Sequence, residues 1–427
     1  MNRAILWFRT DLRLSDHLAL QAALEECDEI VSVYVFDEQW LVKDRWGFDR
    51  TGPYRLQFLL ECLHDLKEHL QELGSDLLVL KGNPAKLLPQ IAEQYECSTV
   101  YCSQEYTEEE RKLAQALEQD LELRYFHNSP LFHPDDLPFA IEKMPEVFTP
   151  FRKKIERYSE VRASFSSPSH IPSPKLEMTA IPSLADFGFE PIKMDERSAL
   201  PFKGGALEAW KRVEYYFWET EQLSVYKETR NGLIGTDYSS KFSPWLAHGC
   251  ISARAIYAEV EKYEAEVEEN KSTYWLKFEL LWRDFFKYTA MRYGNRIFYP
   301  QGIKEQSRKW NYNPKIVRRW INGETGDDFV DANMLELKQT GFMSNRGRQN
   351  VASYLVHRLK QDWRVGAAWF ESMLIDYDVS SNYGNWIYAA GVGNDPRDRV
   401  FNTQRQANMY DKDGAYRRLW LEGRAND

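Results

Sequence analysis

"AILWFRTDLRLSDHLALQAALEECDEIVSVYVF", residues Ala4 to Phe36, holds a complete strand–helix–strand pattern. Apolar runs at Ala4–Phe8 and Ile30–Phe36 flank His17–Cys27, where leucine and alanine recur at helical spacing. Continuous apolar runs suit strands buried on both faces, and a helix between them returns the chain for parallel pairing. Working outward, "LLVL" (Leu77–Leu80), "STVYCS" (Ser98–Ser103) and "LELRYF" (Leu121–Phe126) read as further strands. Helical patterns at Tyr54–Leu73, Pro84–Tyr95 and Thr107–Gln119 alternate with them, with Gly74 as a helix end and Pro84 as a first-turn residue. This predicts an α/β amino-terminal domain over residues 1–127, a parallel sheet with helices on both faces. The first strand is followed by "RTDLRLSDH" and not by G-x-G-x-x-G, so a dinucleotide site is unsupported there. The carboxyl ends of the strands remain a place for a ligand.

Residues 128–204 lose this periodicity. "FSSPSHIPSPK" (Phe165–Lys175) is rich in Pro and Ser, and only "FTPFRKKIERY" (Phe148–Tyr158) suggests a short helix. A connection of that length separates domains or does work of its own. Residues 205–427 then read as an all-α domain, with Ser252 and Ser272 as expected N-caps. The 427 residues carry a net charge of −10, which argues against a protein that coats nucleic acid wholesale but leaves room for a local basic patch. Five cysteines without a CxxC pair fit buried thiols in a reducing cytosol. With no apolar run long enough for a bilayer and no basic leader before Ala4, a cytoplasmic protein is expected. Most of the 14 tryptophans follow residue 205, so the two halves have different tasks.

Several clusters could carry chemistry. Asp376, Asp378 and Asn382 fail as a calcium loop, because Ser381 and Ile387 stand where Gly and Glu are needed. No His or Cys lies near enough for a transition metal. They form either an Asx-rich turn or the polar rim of a large planar ligand. Glu279 lies on the aromatic stripe of "WLKFELLWRDFF", where it pairs with Arg283 at i+4 or accepts from a buried ligand walled by Trp282. Ser239, Ser240 and Ser243 resemble either a phosphate cradle or an ordinary turn. Asn345, Arg346, Arg348 and Gln349, at a helix start, suit an anion or a solvated helix end. Arg292, Arg296, Lys304, Arg308, Lys309, Lys315, Arg318 and Arg319, interleaved with Trp310 and Trp320, form a stripe for a phosphate backbone or a plain surface.

Taken together, "LWFRTDLRLSDHLAL", "TDYSSKFSPWLAHGCIS", "ELLWRDFF", "TGFMSNRGRQNVASYL" and "DYDVSSNYGNWIY" closely resemble the photolyase/cryptochrome family. "SNRGRQNVASYL" with "GVGNDPRDR" is most similar to the DASH cryptochrome branch. The resemblance implies a bent FAD in the helical half. Tyr226, Ser239, Ser240, Phe242 and Ser243 match its phosphate and ribityl side, and Glu279, Trp282 and Arg283 the pocket helix. Asn345 and Arg348 match the isoalloxazine side, with Asp376, Asp378 and Asn382 holding flavin and Asp376 pairing with Arg348. An amide at Asn345 bonds either protonation state of the ring, where an Asp would oppose negative charge on it. Trp386, Trp363 and Trp310 match the proximal, middle and surface members of an electron relay. A methenyltetrahydrofolate antenna is a further expectation, with Glu105 as its contact.

The implied activity is blue-light-dependent splitting of cyclobutane pyrimidine dimers by an electron from excited reduced FAD. Glu279, Trp282, Gln349 and Tyr388 match the substrate side. Duplex-repairing relatives carry Trp where this chain has Tyr388 and Met where it has Gln349. Base stacking contributes about 1–3 kcal/mol, and extrusion from a duplex costs a few kcal/mol that a single strand avoids. The expected partner is therefore single-stranded DNA carrying dimers, with RNA or duplex loops behind it. A monomer without metal or membrane is expected. The alternative is a blue-light receptor that signals through flavin photoreduction.

Overall fold

β1 (Arg3–Phe8) is the centre of a five-stranded parallel sheet, between β2 (Glu29–Asp37) and β4 (Cys97–Ser103). β3 (Leu77–Gly82) and β5 (Glu122–Phe126) flank them, giving the order β3-β2-β1-β4-β5. The structure, a computed structural model, describes residues 2–304, 308–395 and 400–422. The inner apolar runs became strands because their side chains are buried on both sides: Ile5, Val31, Val33 and Val100 pack in one core cluster, Ala4, Leu6 and Phe8 in another. The edge strand β5, by contrast, has no fully buried residue. The crossovers are α1 (Leu18–Glu26), α2 (Pro53–Glu72), α3 (Pro84–Gln94) and α4 (Glu108–Leu117). His17 caps α1 through its ring, Pro84 opens α3, and Gly74 follows α2 at φ +85°. Strand order reverses between β1 and β4, and open sheets leave a crevice at the carboxyl ends beside such a reversal.

Most of the connection at 128–204 lacks regular structure, as expected, yet it is part of the core. Phe148, Phe151 and Ile155 of α5 (Phe148–Tyr158) are buried. The helical half follows with α6 (Ala206–Glu214), α7 (Tyr226–Thr229), α8 (Ser243–His248), α9 (Ala253–Glu266) and α10 (Lys271–Tyr293). Then come α11 (Pro314–Ile321), α12 (Asp328–Thr340), α13 (Asn345–Ser353), α14 (Trp363–Met373) and α15 (Val379–Ala389). α16 (Thr403–Tyr410) and α17 (Ala415–Leu421) complete it.

Ser252 caps α9 as expected, accepting from Ala255 N–H. Ser272 does not cap α10. Asn270 does, its amide oxygen accepting from Ser272 and Thr273 N–H at 2.7 and 3.1 Å, while Ser272 Oγ donates to Glu228.

The loop after β1 docks on the end of α8. Leu12 N–H donates to His248 O at 3.1 Å and Arg13 to Gly249 O at 3.0 Å. A Cβ at Gly249 would lie 2.1 Å from Thr10 O, and its φ is +71°, so only glycine allows this approach. "RTDLRLSDH" is therefore an interdomain clasp.

Candidate functional site

Arg212 of α6 shapes the serine loop from inside. Its guanidinium donates to the carbonyls of Ser240 (3.0 Å), Thr236 (2.9 Å) and Ser239 (3.2 Å), and Lys241 Nζ adds Thr236 O at 2.7 Å. With their carbonyls turned onto Arg212, Ser239 and Ser240 are held in a curl ending at Phe242, which is buried, and Ser243, which is exposed. Tyr226 is buried on α7.

Ser243 Oγ and Arg348 both donate to Asp376 Oδ2, at 2.6 and 2.8 Å, bringing three distant motifs to one carboxylate. The expected Asp376–Arg348 pair is present. Asp376 Oδ1 is buried with no hydrogen-bond partner among the described residues, an acceptor left over for a ligand donor. Asp378 caps α15, accepting from Ser381 N–H at 2.7 Å, and meets Lys287 Nζ at 2.8 Å. Burial raises the Asp378 carboxyl, but the Lys287 and Arg283 cations outweigh it and hold it well below the carboxylate range. Asn382 donates to Ala367 O at 3.1 Å. Asn345 stands exposed at the first position of α13, and Gln349 Oε1 accepts from Arg346 at 3.0 Å.

The expected Glu279–Arg283 pair does not form. Glu279 pairs with Arg230 across from α10, whereas Arg283 donates to Ser129 O and Oγ and to Leu246 O. Burial raises the Glu279 carboxyl and the Arg230 charge opposes this. Trp282 has one face stacked on Phe148, centroids 3.7 Å apart and planes at 12°, and meets the edge of Tyr388 at 5.9 Å and 88°.

Trp386 is 2 % exposed and packs on α14 at Gly366, where a Cβ would lie 2.2 Å from its Cη2. Trp363, one turn earlier on that helix, is fully buried. Trp363 and half-buried Trp310 both donate their indole N–H to Pro300 O, at 3.1 and 2.8 Å. Trp386 and Trp363 are thus both core residues, and Trp310 is half-buried.

Residues 4–174 match the family model described as DNA photolyase, and residues 275–426 the FAD-binding domain of DNA photolyase. The chain belongs to the photolyase/cryptochrome family. Cryptochrome DASH of Gloeobacter violaceus is 49% identical over 424 residues, 98% of this chain and 85% of that protein. Cryptochrome DASH of Xenopus laevis is 48% identical, over 98% of this chain and 82% of its own. The crystal structure of a Synechocystis cryptochrome superposes with TM-score 0.96 at 48% identity, covering 100% of this chain and 90% of that one. A class III photolyase from Agrobacterium tumefaciens gives 0.84 at 28% identity, covering 99% and 87%. This photolyase/cryptochrome chain therefore has the family's FAD-binding domain, and its free Asp376 oxygen and curled serine loop fit that cofactor.

In this family member a cavity opens at the strand-order reversal, between the halves. About 1550 Å³ of space free of atoms, open mouth included, is lined by Trp7, Arg9, Glu105, Glu110, Lys287 and Asp378 among others. Glu105 lies 3.5 Å from Arg9. Burial raises its carboxyl, and burial with the Glu105 charge pushes Glu110 up to about 8. Trp7 Nε1 is buried there with no partner among the described residues.

The basic stripe is part surface and part scaffolding: Arg308, Lys309, Lys315, Arg318 and Arg319 are exposed, while several of the cations also bind backbone carbonyls. Arg292 donates to Met144 O, Arg296 to Ile303 O, Arg308 to Ala390 O, Arg319 to Glu324 O, and Lys304 to Gly391 O and Asp395 O. Those contacts tie loop segments together, and the Arg308 guanidinium also lies 5.8 Å from the Trp310 ring centre. Trp320 is fully buried, edge-on to Trp386 at 6.4 Å, and is no surface residue. The last four residues of "GVGNDPRDR", 396–399, lie outside the described residues. Sequence reasoning missed Phe148, Arg230, Lys287 and Arg212, whose partners lie far along the chain. No helix among the described residues is long and apolar enough to cross a membrane.

Proposed function

We propose that this protein is a blue-light-driven FAD photolyase of cryptochrome DASH type, splitting cyclobutane pyrimidine dimers mainly in single-stranded DNA. The observation that carries this reading is the aromatic corner of Trp282 and Tyr388 beside Glu279. A flat wall with a carboxylate at its rim can stack and hydrogen-bond a paired pyrimidine. When bound, reduced FAD supplies the light absorption and the electron that opens the dimer. The residues' share is to hold both molecules: Ser239, Ser240, Phe242, Ser243 and Tyr226 the cofactor's phosphate and ribityl side, Arg348, Asp376, Asp378, Asn382, Asn345 and Arg283 its remainder. Trp386, Trp363 and Trp310 carry electrons in from the surface. Gln349 and Tyr388 offer less apolar grip than Met and Trp, which favours strands that already present the dimer unpaired.

The cleft at Glu105 suits a flat, hydrogen-bonding heterocycle such as a methenyltetrahydrofolate antenna, because its carboxylates and the unpartnered Trp7 N–H offer both acceptor and donor. The five free thiols fit a reducing cytoplasm. A receptor role is the second reading, favoured by the tryptophan path, since chemically reduced cofactor would repair without it.

Illuminating the reduced protein with UV-damaged oligonucleotides tests this. Dimers should disappear from single strands and much more slowly from duplexes. Retention of dimers in both leaves the receptor.

A further inference from the structure

Among the aromatic residues beside the tryptophan path, Tyr383 has a feature the indoles lack. Its ring meets Trp363 edge to face at 6.2 Å and 81°, and Phe298 closes its other side at 4.6 Å. Its hydroxyl donates to Glu371 Oε2 at 3.4 Å. Glu371 is only 5% exposed, and Arg50, reaching over from the α/β domain, holds its other oxygen at 3.1 Å. Arg55, Tyr377 and Glu109 complete the charged and titratable surroundings. Trp363 and Trp310, by contrast, point their N–H groups at a backbone carbonyl, which cannot take a proton away.

We propose that Tyr383 is a redox-active branch of the relay: it gives one electron to oxidised Trp363 as its phenolic proton passes to Glu371. The inference rests on the photoreduction reading above. The oxidant is the photoexcited oxidised flavin, which draws an electron from Trp386, refilled in turn from Trp363. Tyr383 then loses one electron and one proton. A neutral tyrosyl radical, neutral Trp363 and a protonated Glu371 remain, and charge and atoms balance.

A phenol that loses an electron becomes a very strong acid, so a buried tyrosine is oxidised readily only where a base is within hydrogen-bond reach. Hydrogen bonds of this kind are commonly long before the reactive state forms. Burial pushes the Tyr383 phenol well above its ordinary value, so the proton stays in place until oxidation. Burial also raises Glu371 while Arg50 opposes this, giving an acceptor more basic than an isolated Arg-paired carboxylate would be. Tunnelling between rings falls off exponentially with separation, and neighbouring rings satisfy that condition.

The test is flash illumination of the flavin-loaded protein with transient electron spin resonance and absorption. Wild type should show a tyrosyl signal growing as a tryptophanyl signal decays, more slowly in deuterium oxide. Tyr383→Phe, which removes one hydroxyl, should lose the tyrosyl signal and keep the tryptophanyl one. Glu371→Gln should lower the tyrosyl yield at equal flavin content. Photoreduction with tryptophanyl signals alone in wild type, or an unchanged tyrosyl signal in Tyr383→Phe, overturns the proposal while leaving the functional reading intact. A flavin that takes up no electron under light defeats this proposal and the relay, while dimer loss with chemically reduced protein tests the photolyase reading separately.

Discussion

Gly366→Ala should loosen the relay at its buried end. The added Cβ would lie 2.2 Å from Trp386 Cη2 and 2.6 Å from both Trp386 Cζ3 and Leu355 Cδ2. Carbon atoms rest about 3.5–4.0 Å apart, so the indole must retreat by more than about 1 Å. Neither neighbour has room: Trp386 is 2% exposed and Leu355 0%. Overpacking of this kind costs about 1–3 kcal/mol. Alanine returns up to ~1 kcal/mol of helix propensity at a glycine site. The net loss is about 0–2 kcal/mol, which at ~2–4 °C per kcal/mol for a unit the size of the helical half lowers Tm by up to roughly 8 °C. Thermal release of flavin fluorescence measures it, and photoreduction in the same sample should slow as Trp386 moves. A variant with wild-type Tm and wild-type photoreduction would refute the packing of Trp386 on α14.

Trp363→Phe should abolish photoreduction at unchanged flavin content, read by absorption under blue light. Asp376→Asn should weaken FAD retention on dialysis, because Arg348 and Ser243 lose the carboxylate that aligns them. Tyr388→Trp with Gln349→Met should raise duplex repair relative to single-strand repair, and an unchanged ratio would show that stacking does not set the preference. Buried His248 has its pKa lowered from 6.5 to about 4, burial being the main cause and Arg55 the next. It stays neutral in the fold while the unfolded chain takes a proton, so stability is full above about 6.5 and falls as pH drops towards 4, by roughly 3 kcal/mol at ~1.4 kcal/mol per pH unit. Denaturation midpoints across that range check the sign.

The sheet was legible because buried parallel strands leave uninterrupted apolar runs, and Ala4–Phe8 and Ile30–Phe36 are such runs. Helix ends were less so. Ser272 has the right chemistry for a cap, but α10 already begins at Lys271, so Asn270 is the cap and accepts from the N–H of Ser272 itself. The Asp376–Arg348 pair followed from family resemblance, since 28 residues separate them. Glu279 shows the limit of local rules. Its i+4 neighbour was the obvious partner, yet Arg230, 49 residues away, satisfies it because Arg283 is needed at Ser129. Phe148 sits in a stretch poor in periodicity, so nothing local announced that it would stack on Trp282. Tyr383 and Glu371 lie on separate helices, and only tertiary packing makes them neighbours.

Flavin stoichiometry of the purified, folded protein tests the central claim most directly. The account predicts a yellow protein with about one FAD per chain, or a colourless one that takes up FAD to that level when it is supplied. A folded protein that remains colourless with FAD in excess would contradict it.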